Sequence, residues 1–395
     1  MTNDGQTSSR IEVLRFPLIV TIVFMHNYPT TVPFTQGTIG VAHNSAWVDF
    51  ARSFISGGLA QVAVPLFFLI SGYLFFLGGW SWERYVDKLR RRIHTLLFPF
   101  LFWNLATLAA FALAQSLPQT KMYFTGTLWP PVRSFSFLDC VNALCGITVH
   151  FPISFQFWFI RDLMVLVVLA PAVHFLLTRK PALPLVAAFF CLWYLTAWRP
   201  DFLSSVQAAF FFTLGAYLSR PGMSIGYLDK FGPWIGTIFL GFVILRSAFP
   251  ESPLYLRDLM IIFGVPSVWW LGGLAVGKAP LKSWLMRLSG ASFFVFAAHE
   301  PLLMILRKLS YKLLLPASGT AILALYFSIP ICLIVFLAAV HRYLLKTAPS
   351  FTGFITGRIS RPFAMAPNAC LSAGPVAAAG CGADAPLPCR SIDLD

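Results

Sequence analysis

Charge is scarce in this chain. Of 395 residues, only 11% are Asp, Glu, Lys or Arg, whereas a soluble globular domain carries about 25%. That shortage excludes an ordinary cytosolic enzyme and a disordered chain. Acidic residues are scarcer still, 15 against 29 Lys and Arg, which leaves a net charge of +14. The alternation of polar and apolar residues that a membrane β-barrel requires is also missing. Cysteine is limited to seven, and Cys370, Cys381 and Cys389 lack the C-x-x-C spacing of a zinc site, so no metal site is expected. Neither a phosphate-binding glycine loop nor a Gly-x-Ser-x-Gly element is present. What the chain does have is apolar surface: 57% of residues are hydrophobic and the mean hydropathy is +0.74. Such a composition implies an all-α, polytopic integral membrane protein. In a soluble protein the basic excess would point to nucleic acid. In a bilayer it points to topology, and no nucleic-acid partner is expected.

A membrane helix needs about 20 apolar residues. Ten segments qualify, at roughly 14–33, 58–79, 95–115, 157–177, 182–198, 203–219, 233–249, 258–277, 290–306 and 319–344. The first resembles a signal peptide in its short apolar core, but no small-x-small cleavage pair follows closely, so it reads as a span. With the N-terminus inside, 18 of the 29 basic residues fall on the cytoplasmic side and 9 outside, with Arg15 and Arg161 at or inside span ends. That bias places both termini in the cytoplasm. The expected organisation is a short N-terminus (1–13), a ten-span body (14–346) and a flexible, Gly/Ala/Pro/Ser-rich tail (347–395) in the plasma membrane. Cys140 and Cys145 share an outer loop and could pair in an oxidising compartment.

Ionisable residues inside a span are costly and mark candidate sites. Arg15 and His26 are eleven residues apart in the first span. Eleven steps of 100° make three turns plus about 20°, so the two side chains share a helix face about 16 Å apart along the axis. Glu12 lies three residues before Arg15, at ion-pair spacing. A cation near the inside can hold an anionic donor, and a histidine further out can act as general base. The plainer alternative is an arginine snorkelling to headgroups and a histidine at the outer interface. Toward the outer ends of other spans lie Arg161, Asp162, His299 and Glu300. Arg161 and Asp162 are sequence neighbours pointing about 100° apart, so they are not expected to pair with each other. The loop Trp82–Arg92 concentrates Lys88, Arg90, Arg91 and Arg92. It suits anionic lipid or a phosphorylated donor.

Several stretches together resemble the acyltransferase-3 family. They are Arg15-(x10)-His26, Pro65–Leu74 with Phe67-Phe68-x-x-Ser71-Gly72-Tyr73, the basic entry Lys88–Phe100, Phe157–Leu163, and Ser289–Leu302 with Ala298-His299-Glu300-Pro301. Their order is kept across residues 10–345. The resemblance implies transfer of an acyl group, usually acetyl, from cytosolic acetyl-CoA to a carbohydrate hydroxyl, with no bound cofactor. It implies that His26 is catalytic and Arg15 its motif partner, that Lys88, Arg90, Arg91 and Arg92 bind the donor, and that the acceptor is a surface or lipid-linked glycan. The family's Arg-x-x-Arg pair is replaced here by Lys88-x-x-Arg91. No hydrolase-like domain follows the tenth span, so a stand-alone form is expected.

Two other classes fit the same charges. A secondary transporter would use the intramembrane groups and the many Gly and Pro residues, but paired broken helices are not visible in the sequence. A scaffold or receptor would need neither Arg15 nor His26.

Overall fold

The computed structural model describes residues 3–34, 37–118, 120, 129–178, 182–196 and 205–358. Helices dominate, in the order α1 (Asn3–His26), α2 (Ala46–Ser53), α3 (Ala63–Phe76), α4 (Trp82–Arg92), α5 (Phe98–Ser116) and α6 (Phe137–Cys145). Then come α7 (Trp158–Val168), α8 (Ala170–Thr178), α9 (Ala182–Thr196), α10 (Val206–Leu218) and α11 (Gly232–Ala248). The chain continues through α12 (Leu254–Val276), α13 (Ala279–Ser289), α14 (Ser292–Leu314), α15 (Gly319–Thr347) and α16 (Pro349–Thr356). Among the described residues one hairpin occurs, β1 (Thr31–Phe34) with β2 (Gly37–Gly40), antiparallel with Val32 opposite Ile39.

Among the described residues, five stretches are long and apolar enough to cross a membrane: Ala46–Phe76, Trp82–Ser116, Asp229–Ala248, Leu254–Val276 and Gly319–Thr347. The count rises to seven if two bent pairs each make one span. These are Phe155–Val168 with Ala170–Thr178, bent by 54°, and Ala279–Ser289 with Ser292–Leu314, bent by 56°. The remaining expected segments are α9 and α10, which are shorter apolar helices, and α1, whose inner half carries Arg10, Glu12 and Arg15. The bends have local causes. Pro171 has no N–H to continue the ladder from α7, and Gly290-Ala291 separates α13 from α14. Two apolar helix pairs are therefore sharply bent, a feature the sequence did not show.

Some of the basic residues expected on one side come together at one end of the helix bundle. Arg10 pairs with Asp229, and Arg15, Arg92 and Arg358 line one cavity. At the opposite end Arg52 donates to the Tyr28 carbonyl, and Arg307 donates to the His26 carbonyl at 2.8 Å.

Residues 349–356, inside the stretch expected to be a flexible tail, form α16, with Thr352 fully buried. Its aromatic residues meet α5: Phe351 and Phe354 lie 5.8 and 5.9 Å from Phe102. Residues 359–395, with the three tail cysteines, lie outside the described residues. Cys140 and Cys145 are both free thiols. Five residues apart in α6, they point about 140° away from each other.

Helices α3 and α10 approach backbone to backbone. A Cβ at Gly72 would strike the Phe212 carbonyl, and one at Gly215 the Leu69 carbonyl. Small residues permit such contact in membranes, which gives a packing reason for glycine in the Ser71-Gly72-Tyr73 motif. Gly72→Val should cost about 1–3 kcal/mol or more through overpacking. The check is the fraction of monodisperse protein in detergent and its thermal midpoint. Unchanged values would show that α3 and α10 can separate freely.

Candidate active site

Two polar groups of opposite placement are joined by one face of α1. Near its middle Arg15 pairs with Glu12 at 2.8 Å, as the i,i+3 spacing predicted. The other Glu12 oxygen accepts from Ser289 Oγ at 2.8 Å, tying α1 to α13. Arg15 borders a cavity of about 540 Å³, together with Arg92 from the end of α4 and Arg358. Three guanidinium groups thus face one carboxylate, and that carboxylate is already engaged. Ser292 also lines the cavity; it is 6% exposed, and its hydroxyl has no partner among the described residues.

From Arg15 the cavity climbs past Ile19 and Ile22, with Phe67, Phe159 and Phe296 opposite. Ile22 is one turn below His26, and Phe296 is one turn below His299. The polar end of the cavity is therefore basic, and its far end is apolar and stops just short of two histidines.

Those histidines meet. Their ring centroids are 5.2 Å apart at an interplanar angle of 61°, and Phe155 lies 4.8 Å from His26. His299 is fully buried and its Nδ1 contacts the Phe296 carbonyl at 2.7 Å. A carbonyl only accepts, so Nδ1 carries the proton in the neutral ring and Nε2 is left as an acceptor. Nε2 has no partner among the described residues. The outer end of α1 is fixed twice: Asn27 donates to the Leu325 and Tyr326 carbonyls of α15, and Arg307 holds the His26 carbonyl.

Glu300 sits where α14 breaks. It takes an extended conformation, φ −104° and ψ 137°, before Pro301. A residue preceding proline is pushed out of the helical region, and Pro301 has no N–H for the Ala297 carbonyl four residues earlier. Gln156 fills the gap, its Nε2 donating to the carbonyls of Ala297 (3.1 Å) and Glu300 (3.3 Å). In a bilayer such freed carbonyls must find donors from the protein.

The other expected site residues are placed differently. Arg161 and Asp162 do pair, with Nη2 to Oδ1 at 2.9 Å and Nε to Oδ1 at 3.0 Å, contrary to the expectation from their directions. The 100° rule fixes the Cβ vectors only; the long arginine stem folds back across the turn. Arg161 also donates to the carbonyls of Gly146, Val149 and His150, while Asp162 accepts from the Ser205 N–H. These contacts bind the outer loop to α7 and the start of α10. Lys88 donates to the carbonyls of Phe75 and Leu77, capping the end of α3. With Arg91 and Arg92 it borders a second cavity of about 270 Å³, and Arg92 is shared by both cavities. Arg90 is exposed and borders neither of the two. Among the basic-loop residues, Arg92 is thus the one that meets Arg15. Arg307 and Arg358 were not singled out by the sequence. Among the described residues no cluster of His, Cys, Asp or Glu can hold a metal ion.

The site thus sets a basic cavity, fit for an anionic ligand, within a helical turn of a histidine pair. A family model described as an acyltransferase domain, acyltransferase 3, matches residues 8–340. The chain belongs to this family and is an acyltransferase. It is 29% identical over 365 residues to the succinoglycan biosynthesis protein ExoH of Rhizobium meliloti, an alignment that covers 90% of this chain and 93% of that one. No solved structure matches.

Proposed function

We propose that the protein transfers an acyl group, acetyl in our reading, from a cytosolic acyl-CoA to a hydroxyl of a surface or periplasmic carbohydrate, free or lipid-linked. It would act as a ten-span protein of the plasma membrane with both termini cytoplasmic. The observation that carries this reading is the continuity of the cavity, from Arg15 and Arg92 at the basic end to within one turn of His26 and His299. Phosphates of the donor would sit at the arginines, and the acyl thioester would extend along the apolar walls. His26 takes the proton of the acceptor hydroxyl as its oxygen attacks the thioester carbonyl. The C–S bond breaks, and the CoA thiolate leaves and accepts a proton. His299, with Nε2 as acceptor, orients the hydroxyl or the His26 ring. The carbohydrate acceptor is supported by the relative, whose name places it in the biosynthesis of a polysaccharide.

The test is mass spectrometry of surface glycans from a deletion strain and its complemented parent. A difference of one acyl mass is expected, and identical glycans would sink the proposal. The two bent spans favour one other reading, a transporter with broken helices around a site. Solute uptake into proteoliposomes without an acyl donor would support it.

A further inference from the structure

The family match ends at residue 340, yet the cavity wall does not. Thr356 and Arg358, from the helix that follows α15, line the same cavity as Arg15 and Arg92. Their position is closely specified. Pro349 opens α16 with the backbone angle a first helical turn needs. Trp103 Nε1 of α5 donates to the Ile355 carbonyl at 3.0 Å. The helix then closes with two reversed hydrogen bonds, Gly357 N–H to the Phe354 carbonyl at 3.3 Å and Arg358 N–H to the Gly353 carbonyl at 2.8 Å. This is the Schellman arrangement, which places a glycine in the left-handed region. Gly357 has φ +67°, and a Cβ there would strike the backbone of Thr95. Glycine is therefore required twice over, by conformation and by contact.

The result is an arginine held at a cavity rim by its backbone. Arg358 Nη2 donates to the Gly290 carbonyl at 2.9 Å, at the break between α13 and α14. One such bond leaves most of the donors of a guanidinium for other partners. Across the cavity, Arg15 is engaged by Glu12, whose second oxygen is taken by Ser289. The cavity thus holds three fixed positive charges against one, and beside them the unpartnered Ser292 hydroxyl. The positive charge comes from arginines on three separated segments, and arginine is the side chain that pairs bidentately with phosphate.

We infer that Arg358 is a donor-binding residue that contacts a phosphate group of the nucleotide part of the acyl donor, which makes α16 part of the active site. This rests on the acyl-CoA reading proposed above. The test uses the full chain purified in lipid nanodiscs, with CoA binding and acyl-transfer kinetics measured for wild type, Arg358→Ala and Arg358→Lys. Arg358→Ala should weaken CoA binding and raise the donor KM by about 10- to 100-fold, the loss of a hydrogen bond between charged groups. It should leave kcat and the acceptor KM unchanged, and Arg358→Lys should recover part of the loss. CoA binding in Arg358→Ala equal to wild type would overturn the inference, with the acyl-CoA reading intact. So would a fall in kcat and thermal midpoint that lysine does not relieve, since this would show only a structural role. Failure of the folded wild type to bind CoA would overturn the acyl-CoA reading itself, and this inference with it.

Discussion

His26→Ala is expected to lower acyl transfer by about 10²–10⁴-fold, the range in which a positioned general base contributes. The protein should still insert and fold. The His26 carbonyl, which Arg307 holds, belongs to the backbone and survives the substitution. So does the anchoring of Asn27 to α15. Only the ring is lost, together with its contacts to Phe155 and His299. The measurement is the turnover of purified variant with acyl-CoA and a glycan acceptor, set beside its CoA affinity. CoA affinity should stay near wild type, because the ring lies a turn beyond the cavity end at Ile22. Full activity in His26→Ala would remove His26 as the base and leave His299 to be tried in its place.

The second large effect is expected at the other end of the same helix face. Arg15→Ala should reduce kcat/KM for the donor by about 10- to 100-fold, since a hydrogen bond between charged partners is worth about 1.5–3 kcal/mol. The variant also leaves Glu12 facing the cavity with only Ser289 as its partner. A carboxylate that no longer has a cation beside it repels an anionic donor. Glu12→Gln in the Arg15→Ala background should therefore recover part of the affinity. Donor kinetics across the three proteins decide the matter. An Arg15→Ala enzyme with unchanged donor KM and reduced kcat would move Arg15 from donor binding to the chemistry.

The part of this site that was legible in the sequence lies within single helices. The Arg15–His26 spacing fixes a shared face because an α-helix turns by a constant angle. The Glu12–Arg15 pair followed from the same rule. What was not legible depends on how helices meet. Lys88 sits at donor-motif spacing, yet its ammonium is used on the carbonyls that end α3. Arg161 and Asp162 form a pair that Cβ directions cannot foresee. The proximity of His26 and His299 is a contact between α1 and α14, hinted at only by their similar depth. Arg358 was hidden by the composition of the segment around it. The local sign was there: two aromatic residues, Phe351 and Phe354, at helical spacing, followed by Gly357 at a helix end. Composition also does not register a break such as Leu169-Ala170-Pro171 or Ser289-Gly290-Ala291, so the bends within two apolar stretches were not foreseen.

Gln156 gives the histidine helix an unusual dependence. Most membrane helices are self-sufficient, every interior carbonyl meeting an N–H from its own chain a turn later. The helix bearing His299 is not, because its ladder is completed at Ala297 by a side chain 141 positions earlier. Gln156 and Pro301 therefore act as one structural unit. Losing the amide while keeping the proline strands a buried carbonyl two residues from His299. Restoring an N–H at 301 makes the amide redundant and straightens the helix. Loss of the amide is therefore costly only while the proline is kept.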